Sequence, residues 1–107
     1  MLNIYDDIKA WQHEACDLVG RIRSFDAELA SHLRRSSQSV ALNVAEGMGS
    51  SGAARRNKYA IALGEARECM AVIEVAQAWK YIEEAPAGTL DRLDKITATL
   101  FKLVRPR

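Results

Sequence analysis

A chain of 107 residues accommodates one hydrophobic core, so a single domain over residues 1–107 is expected and a nucleotide domain beside a substrate domain is excluded. With 49% apolar and 27% charged residues the chain is too apolar for disorder. The net charge of +1 excludes a strongly basic body, but residues 1–50 carry five basic and seven acidic side chains and residues 51–107 ten and seven, so a local basic surface fits.

Ala, Leu, Glu and Arg are abundant and only Pro86 and Pro106 interrupt, which favours helix over sheet. No apolar run approaches the roughly 20 residues of a membrane span. The acidic start MLNIYDDIKAWQ is unlike a signal peptide, and a cytoplasmic location is expected. Cys16 and Cys69 lack metal-ligand spacing and read as reduced, packed thiols.

In chain order, Ile4, Ile8, Trp11, Ala15, Leu18, Ile22 and Phe25 recur at steps of four and three, which predicts a helix over residues 4–24. Asp7, Lys9, Glu14, Asp17, Arg21 and Arg23 fall on its solvated side. Ser24 or Asp26 can cap a second helix carrying Leu29, Leu33, Ser36, Val40 and Val44, with Gly47 as its stop. Within it, the run SSQS at 36–39 puts hydroxyls where a bundle core prefers aliphatics. A third, long helix is predicted over 54–82, interrupted only by Gly64. Pro86 and Gly88 break it, Thr89 or Asp91 begins a fourth, and Leu90, Leu93, Ile96, Leu100, Phe101 and Val104 supply the last stripe. Four amphipathic helices with short connections predict an all-α, up-down-up-down antiparallel four-helix bundle.

The stretch EGMGSSG contains G-x-G-x-x-G at Gly47, Gly49 and Gly52, and a dinucleotide-site reading would make residues 39–45 and 70–75 strands, with Glu74 on the ribose. No turn residue precedes 70–75, and the chain ends read as helices. Two parallel strands alone do not make a stable sheet. The glycines are instead expected to reverse the chain, with Ser50 or Ser51 capping the third helix.

Glu46 stands at the C-terminal end of the second helix, where the dipole disfavours a carboxylate. Asn43, one turn earlier, and Glu46 are expected to form a structural polar network with Arg34, Arg35 or the start of the third helix. Arg55, Arg56 and Lys58, with Lys102, Arg105 and Arg107, offer contacts to nucleic-acid phosphates, against the plainer reading of a solvated surface. His13 and His32 have no partner at metal spacing, no catalytic grouping is assembled, and neither cofactor nor small-molecule substrate is implied. Trp11, Trp79 and Tyr81 read as core or interface anchors.

On the third helix Ala62, Ala66, Cys69, Ile73 and Ala76 make one apolar line, while Val72, Val75, Trp79 and Ile82 make another about 100° away. A helix in a monomeric bundle needs one such line. The second is expected to be the interface of a homo-oligomer.

The segment LRRSSQSVALNVAEG, followed by YAIALGEARE and AQAWKYI, resembles a bacterial four-helix-bundle family known from open reading frames in intervening sequences of large-subunit ribosomal RNA genes. Arg34, Arg35, Ser39, Asn43, Ala45, Glu46 and Gly47 match on the second helix. Ile61, Ala62, Gly64, Glu68, Tyr81 and Ile82 match on and beyond the third, as do Trp11 and Gln12 near the start. Ala41, Leu42 and Lys58 depart from a proline, a serine and an acid in the family pattern. The resemblance implies a homo-oligomer with pentameric rings as a known arrangement, no established enzymatic activity, and a kinship with basic RNA-binding bundles of retroelements. A non-catalytic scaffold is therefore the leading expectation, with an RNA- or DNA-binding adaptor as the alternative.

Overall fold

The protein is described here by a computed structural model covering residues 3–84 and 87–106. Among these residues there are four helices and no strand: α1 (Ile4–Arg23), α2 (Ala27–Met48), α3 (Gly52–Ala78) and α4 (Ala87–Val104). Helices consecutive in sequence pack side by side and α1 also meets α4, which closes an up-down-up-down bundle. Its long dimension of 42 Å is set by α3, whose 27 residues rise about 40 Å. Residues 39–45 and 70–75 are helical, so the dinucleotide-site reading has no sheet to stand on.

The heptad-like spacing of α1 buries Ile4, Ile8, Trp11, Ala15, Leu18 and Ile22. Leu33, Val40 and Val44 of α2, the Ala62 to Ala76 line of α3, and Leu93, Ile96 and Leu100 of α4 complete one core. Each large aliphatic side chain so buried contributes about 1.5–3 kcal/mol. Two stripe members are not in it: Phe25 lies beyond the end of α1 and Phe101 points outward, 64% and 48% exposed.

Helix ends account for most other departures from expectation. Asp26, not Ser24, caps α2, its Oδ1 accepting from the Leu29 amide at 2.9 Å. Gly47 does not stop α2, which runs on to Met48 with Gly49 as its C-cap. Gly47 is required instead by close approach, since a Cβ there would lie 2.4 Å from the Tyr59 ring. Gly52 takes the left-handed conformation, φ 56°, that reverses the chain into α3. Neither serine caps α3: Ser50 Oγ donates back to the Glu46 carbonyl at 2.8 Å, and Ser51 makes no side-chain cap bond.

The third helix ends four residues short of expectation. Lys80 adopts φ 62°, the Tyr81 amide donates to the Ala76 carbonyl at 2.9 Å, and the Lys80 amide donates to Gln77 at 3.0 Å. This is a Schellman closure built on lysine where glycine is usual. Helix α4 begins at Ala87, so Gly88 is inside it rather than a breaker. Pro86 and Arg107 lie outside the described residues.

An ion cluster between residues far apart in sequence joins the first and last helices. Arg92 donates to Glu14 and, at 3.0 Å, to Asp7 Oδ1, and Lys95 reaches Asp7 Oδ2 at 3.0 Å. Asp7 and Glu14, expected on a solvated face, are only 20% and 25% exposed in their side chains.

Candidate functional site

The long third helix passes through three chemically distinct regions, and each candidate residue belongs to one of them. At its N-terminal end the antiparallel topology sets the start of α3 beside the ends of α2 and α4. Arg55 Nε donates to the Gly47 carbonyl at 3.0 Å and its Nη2 to that of Met48 at 3.3 Å. Arg56 Nε donates to the Val104 carbonyl at 3.0 Å. Cations at an α3 N-terminus are unfavourable for α3 alone, but here they complement the carbonyl ends of two neighbouring helices. Lys58 Nζ meets Glu46 Oε2 at 2.8 Å and fixes the α2–α3 corner.

The polar network at this corner is narrower than the one expected. Asn43 donates to the backbone carbonyl and the hydroxyl of Ser39, at 2.9 and 3.0 Å, both within α2. Arg34 and Arg35 are exposed and, among the described residues, bond neither Asn43 nor Glu46. They stand 8 to 12 residues before Asn43 and Glu46, two to three turns away along the same helix, beyond the reach of an arginine that would have to run parallel to the axis.

Midway along α3 lies a polar layer that spans three helices. Ser36 and Ser37 are buried; Ser36 Oγ donates to Glu68 Oε2 at 2.8 Å, and Ser37 Oγ contacts Cys69 Sγ at 3.5 Å. Gln12 Nε2 donates to the Ser37 carbonyl at 2.9 Å, tying α1 to the same level. These bonds explain how the SSQS run is tolerated in a core, since each buried hydroxyl has a partner. His32 Nδ1 stands 3.4 Å from Glu68 Oε1. The carboxylate thus lies between histidine and serine, which leaves no direct base-to-hydroxyl pair of the nucleophilic kind.

Burial pushes the Cys69 thiol up to about 11, and the Glu65 and Glu68 charges act in the same direction; Ser37 and the Trp11 indole oppose them. Among the described residues Trp11 Nε1 is itself buried outside hydrogen-bonding geometry with any partner. A neutral thiol is therefore the form Cys69 keeps, while Cys16 is exposed on α1. No group of three or more potential metal ligands occurs among the described residues.

The C-terminal end of α3 divides the expected interface line. Val72, inside α3, and Ile82, where the Schellman turn swings residues 81 and 82 back over the bundle end, are buried in the chain's own core, 5% and 3% exposed. Those two are not available to a partner. Val75 and Trp79 remain outside, 43% and 69% exposed. Trp79 lies against Tyr81 with ring centroids 6.4 Å apart, and Tyr81 stacks on Phe25 at 5.4 Å and 13° between planes. A groove between α2 and α3 adjoins Val75, with Leu29 and Ala71 in its apolar wall and Asp26, Glu28 and Glu68 at its rim. Sequence reading missed Phe25 as a surface residue and missed the groove, whose two walls come from residues at least 36 positions apart.

No helix among the described residues is long and apolar enough to cross a membrane. Among curated proteins no sequence matches this one. The fold is similar to the crystal structure of a protein of unknown function from the S23 ribosomal protein family of Bacteroides thetaiotaomicron, with a TM-score of 0.87 at 21% identity over 96% of this chain and 99% of that one. That likeness establishes the fold alone. The family model for the 23S rRNA-intervening sequence protein matches residues 2–102. The motif resemblance carried by the α2 and α3 residues and the match over nearly the whole chain agree: this chain belongs to the 23S rRNA-intervening sequence protein family.

Proposed function

We propose that this chain is a non-catalytic assembly module that self-associates through the outer edge of α3. The observation that carries the reading is the apolar surface formed by Val75 and Trp79, one helical turn apart and continuous through Tyr81 with the exposed Phe25 ring. A tryptophan 69% exposed at the end of a small bundle is of the kind enriched at the centres of interfaces. Covering it needs a second surface, and a closed ring of copies supplies one without leaving an apolar end free. Five copies is the number the family resemblance suggests.

Light scattering coupled to size exclusion tests this. A mass several times 11.9 kDa at micromolar concentration is expected, and a mass near that of one chain would overturn the reading. Val75→Glu and Trp79→Glu are expected to dissociate the assembly while preserving helical circular dichroism, because neither side chain is in the core.

The alternative, a nucleic-acid adaptor, requires Arg55, Arg56 and Lys58 to exchange the carbonyl and carboxylate partners described above for phosphates. Phosphate contacts weaken steeply with salt. Micromolar binding to RNA or DNA that is salt-sensitive and lost in the Arg55→Ala, Arg56→Ala, Lys58→Ala triple variant would promote that alternative above assembly alone.

A further inference from the structure

The groove between α1 and α2 differs from the one between α2 and α3 in charge. Three carboxylates rim the α2–α3 groove, whereas the α1–α2 cavity, about 310 Å³, has Arg23 and Arg34 in its wall and no carboxylate. Among the described residues neither guanidinium forms a hydrogen bond or salt bridge, which is equally true of Arg21, Arg35, Arg67 and Arg105; what sets Arg23 and Arg34 apart is that they share the wall of one cavity. Two exposed guanidiniums at one concavity hold a positive potential there that solvent screens only in part and that favours an anion. Arg23 has a second reason for its place, since it sits in the last turn of α1 and complements the carbonyl end of that helix. Arg34 is inside α2 and has no such role.

The wall itself carries a second sign. Gly20 lies within α1, although glycine is among the poorest helix formers. Like Gly64 and Gly88 it has no left-handed backbone to accommodate, and a Cβ built on it meets nothing within 4 Å, but of the three it is the one in the wall of this cavity. Neither the backbone nor packing inside the chain calls for glycine at this position. A side chain there would enter the cavity, next to Ala15 and Val19. The result is a wall of Ala15, Val19 and Gly20 beside the neutral polar Gln12, Ser37 and Gln38, with two cations and a volume at the lower end of those that hold small ligands.

We infer that the α1–α2 groove is a binding site for a small organic anion, its carboxylate or phosphate held by Arg23 and Arg34 and its apolar body laid along Ala15, Val19 and Gly20. The site lies between α1 and α2 and does not depend on self-association. Cys16 lines the same cavity and is exposed, while Cys69 is fully buried, so the chain carries its own reporter of occupancy.

The test uses the whole protein with phenyl phosphate and benzoate as probes, which share one ring and differ in the anion, and benzyl alcohol as the neutral control. The readouts are amide chemical shifts and the rate of Cys16 alkylation by iodoacetamide. One or both anions are expected to shift α1 and α2 amides around the groove and to protect Cys16, and which anion does so identifies the ligand class. Arg34→Ala is expected to weaken binding by about tenfold or more, with Arg34→Lys intermediate because it keeps the charge but loses the planar fork. Gly20→Leu is expected to abolish binding with both guanidiniums intact and helical content unchanged. The inference is overturned if neither anion has an effect at about 10 mM, a concentration that detects even millimolar affinity. It is equally overturned if benzyl alcohol acts as strongly as the anions, or if Arg34→Ala and Gly20→Leu bind as the parent does.

Discussion

The two ends of α3 make opposite use of the same helix. At the N-terminal end every conspicuous side chain has an internal partner: Arg55 and Arg56 close the ends of α2 and α4, Lys58 holds Glu46, and Tyr59 fills the space that Gly47 leaves. At the C-terminal end Trp79, Val75 and Phe25 are left outside, and the helix closes on a strained lysine. Charge therefore does not by itself mark the surface that seeks a partner. A basic cluster that is already hydrogen-bonded to carbonyls is structural, and the apolar end with no internal cover is the more informative one for function.

The contrast can be broken most severely at the closed end. Gly47→Ala forces a methyl against the Tyr59 ring, and overpacking of this kind costs about 1–3 kcal/mol. Chemical denaturation should show that loss, and adding Tyr59→Ala should make the double variant less destabilised than the sum of the two changes. The pH dependence of the middle of α3 ranks next. Folding raises the Cys69 thiol from 9.0 to about 11, so its contribution is fully present below pH 9 and is lost as pH rises toward and through 11. Stability should fall by roughly 2 kcal/mol by pH 11 on this account, and Cys69→Ala, although less stable at pH 7, should show a flatter slope over that window.

At the open end the strain is removable. A non-glycine residue at left-handed φ costs about 1 kcal/mol, so Lys80→Gly should raise stability by up to that amount. Thermal melting of the variant against the parent checks it. The smallest effect is expected at Glu46. Its pair with Lys58 is half-exposed, 58% for the glutamate side chain, and such pairs contribute about 0–1 kcal/mol, offset in part by the unfavourable α2 C-terminus. Glu46→Gln should lower stability by a few tenths of a kcal/mol, and the difference should shrink in about 1 M salt.

The four helices were legible because each repeats apolar residues with a period that only a helix satisfies, and Trp11, Ile73 and Ile96 fall where that period puts them. Their ends were less so. Gly47 carries two physical meanings, chain reversal and close approach, and only the position of Tyr59, 12 residues on, separates them. No glycine or proline announces the left-handed turn at Lys80, and for that reason α3 reads four residues too long and Ile82 reads as surface. Asp7 and Glu14 read as solvated because their partner Arg92 is 78 or more residues away. Of the candidate site, Val75 and Trp79 were visible as a second apolar line, but the aromatic stack that extends it depends on where two loops meet.

The Arg92 cluster has a kinetic meaning. Contacts within α1–α2, α2–α3 and α3–α4 join segments adjacent in sequence, whereas the α1–α4 seam brings together residues up to 88 apart, as Asp7 and Lys95 are. Closing a flexible loop of that length costs about 4 kcal/mol of chain entropy. A bundle of this topology folds fast because most of its contacts are local. The seam is the part whose formation must wait for the other three helices, and the cluster that pins it acts mainly as a latch on unfolding: it slows the release of the first and last helices from each other without having to hasten their meeting.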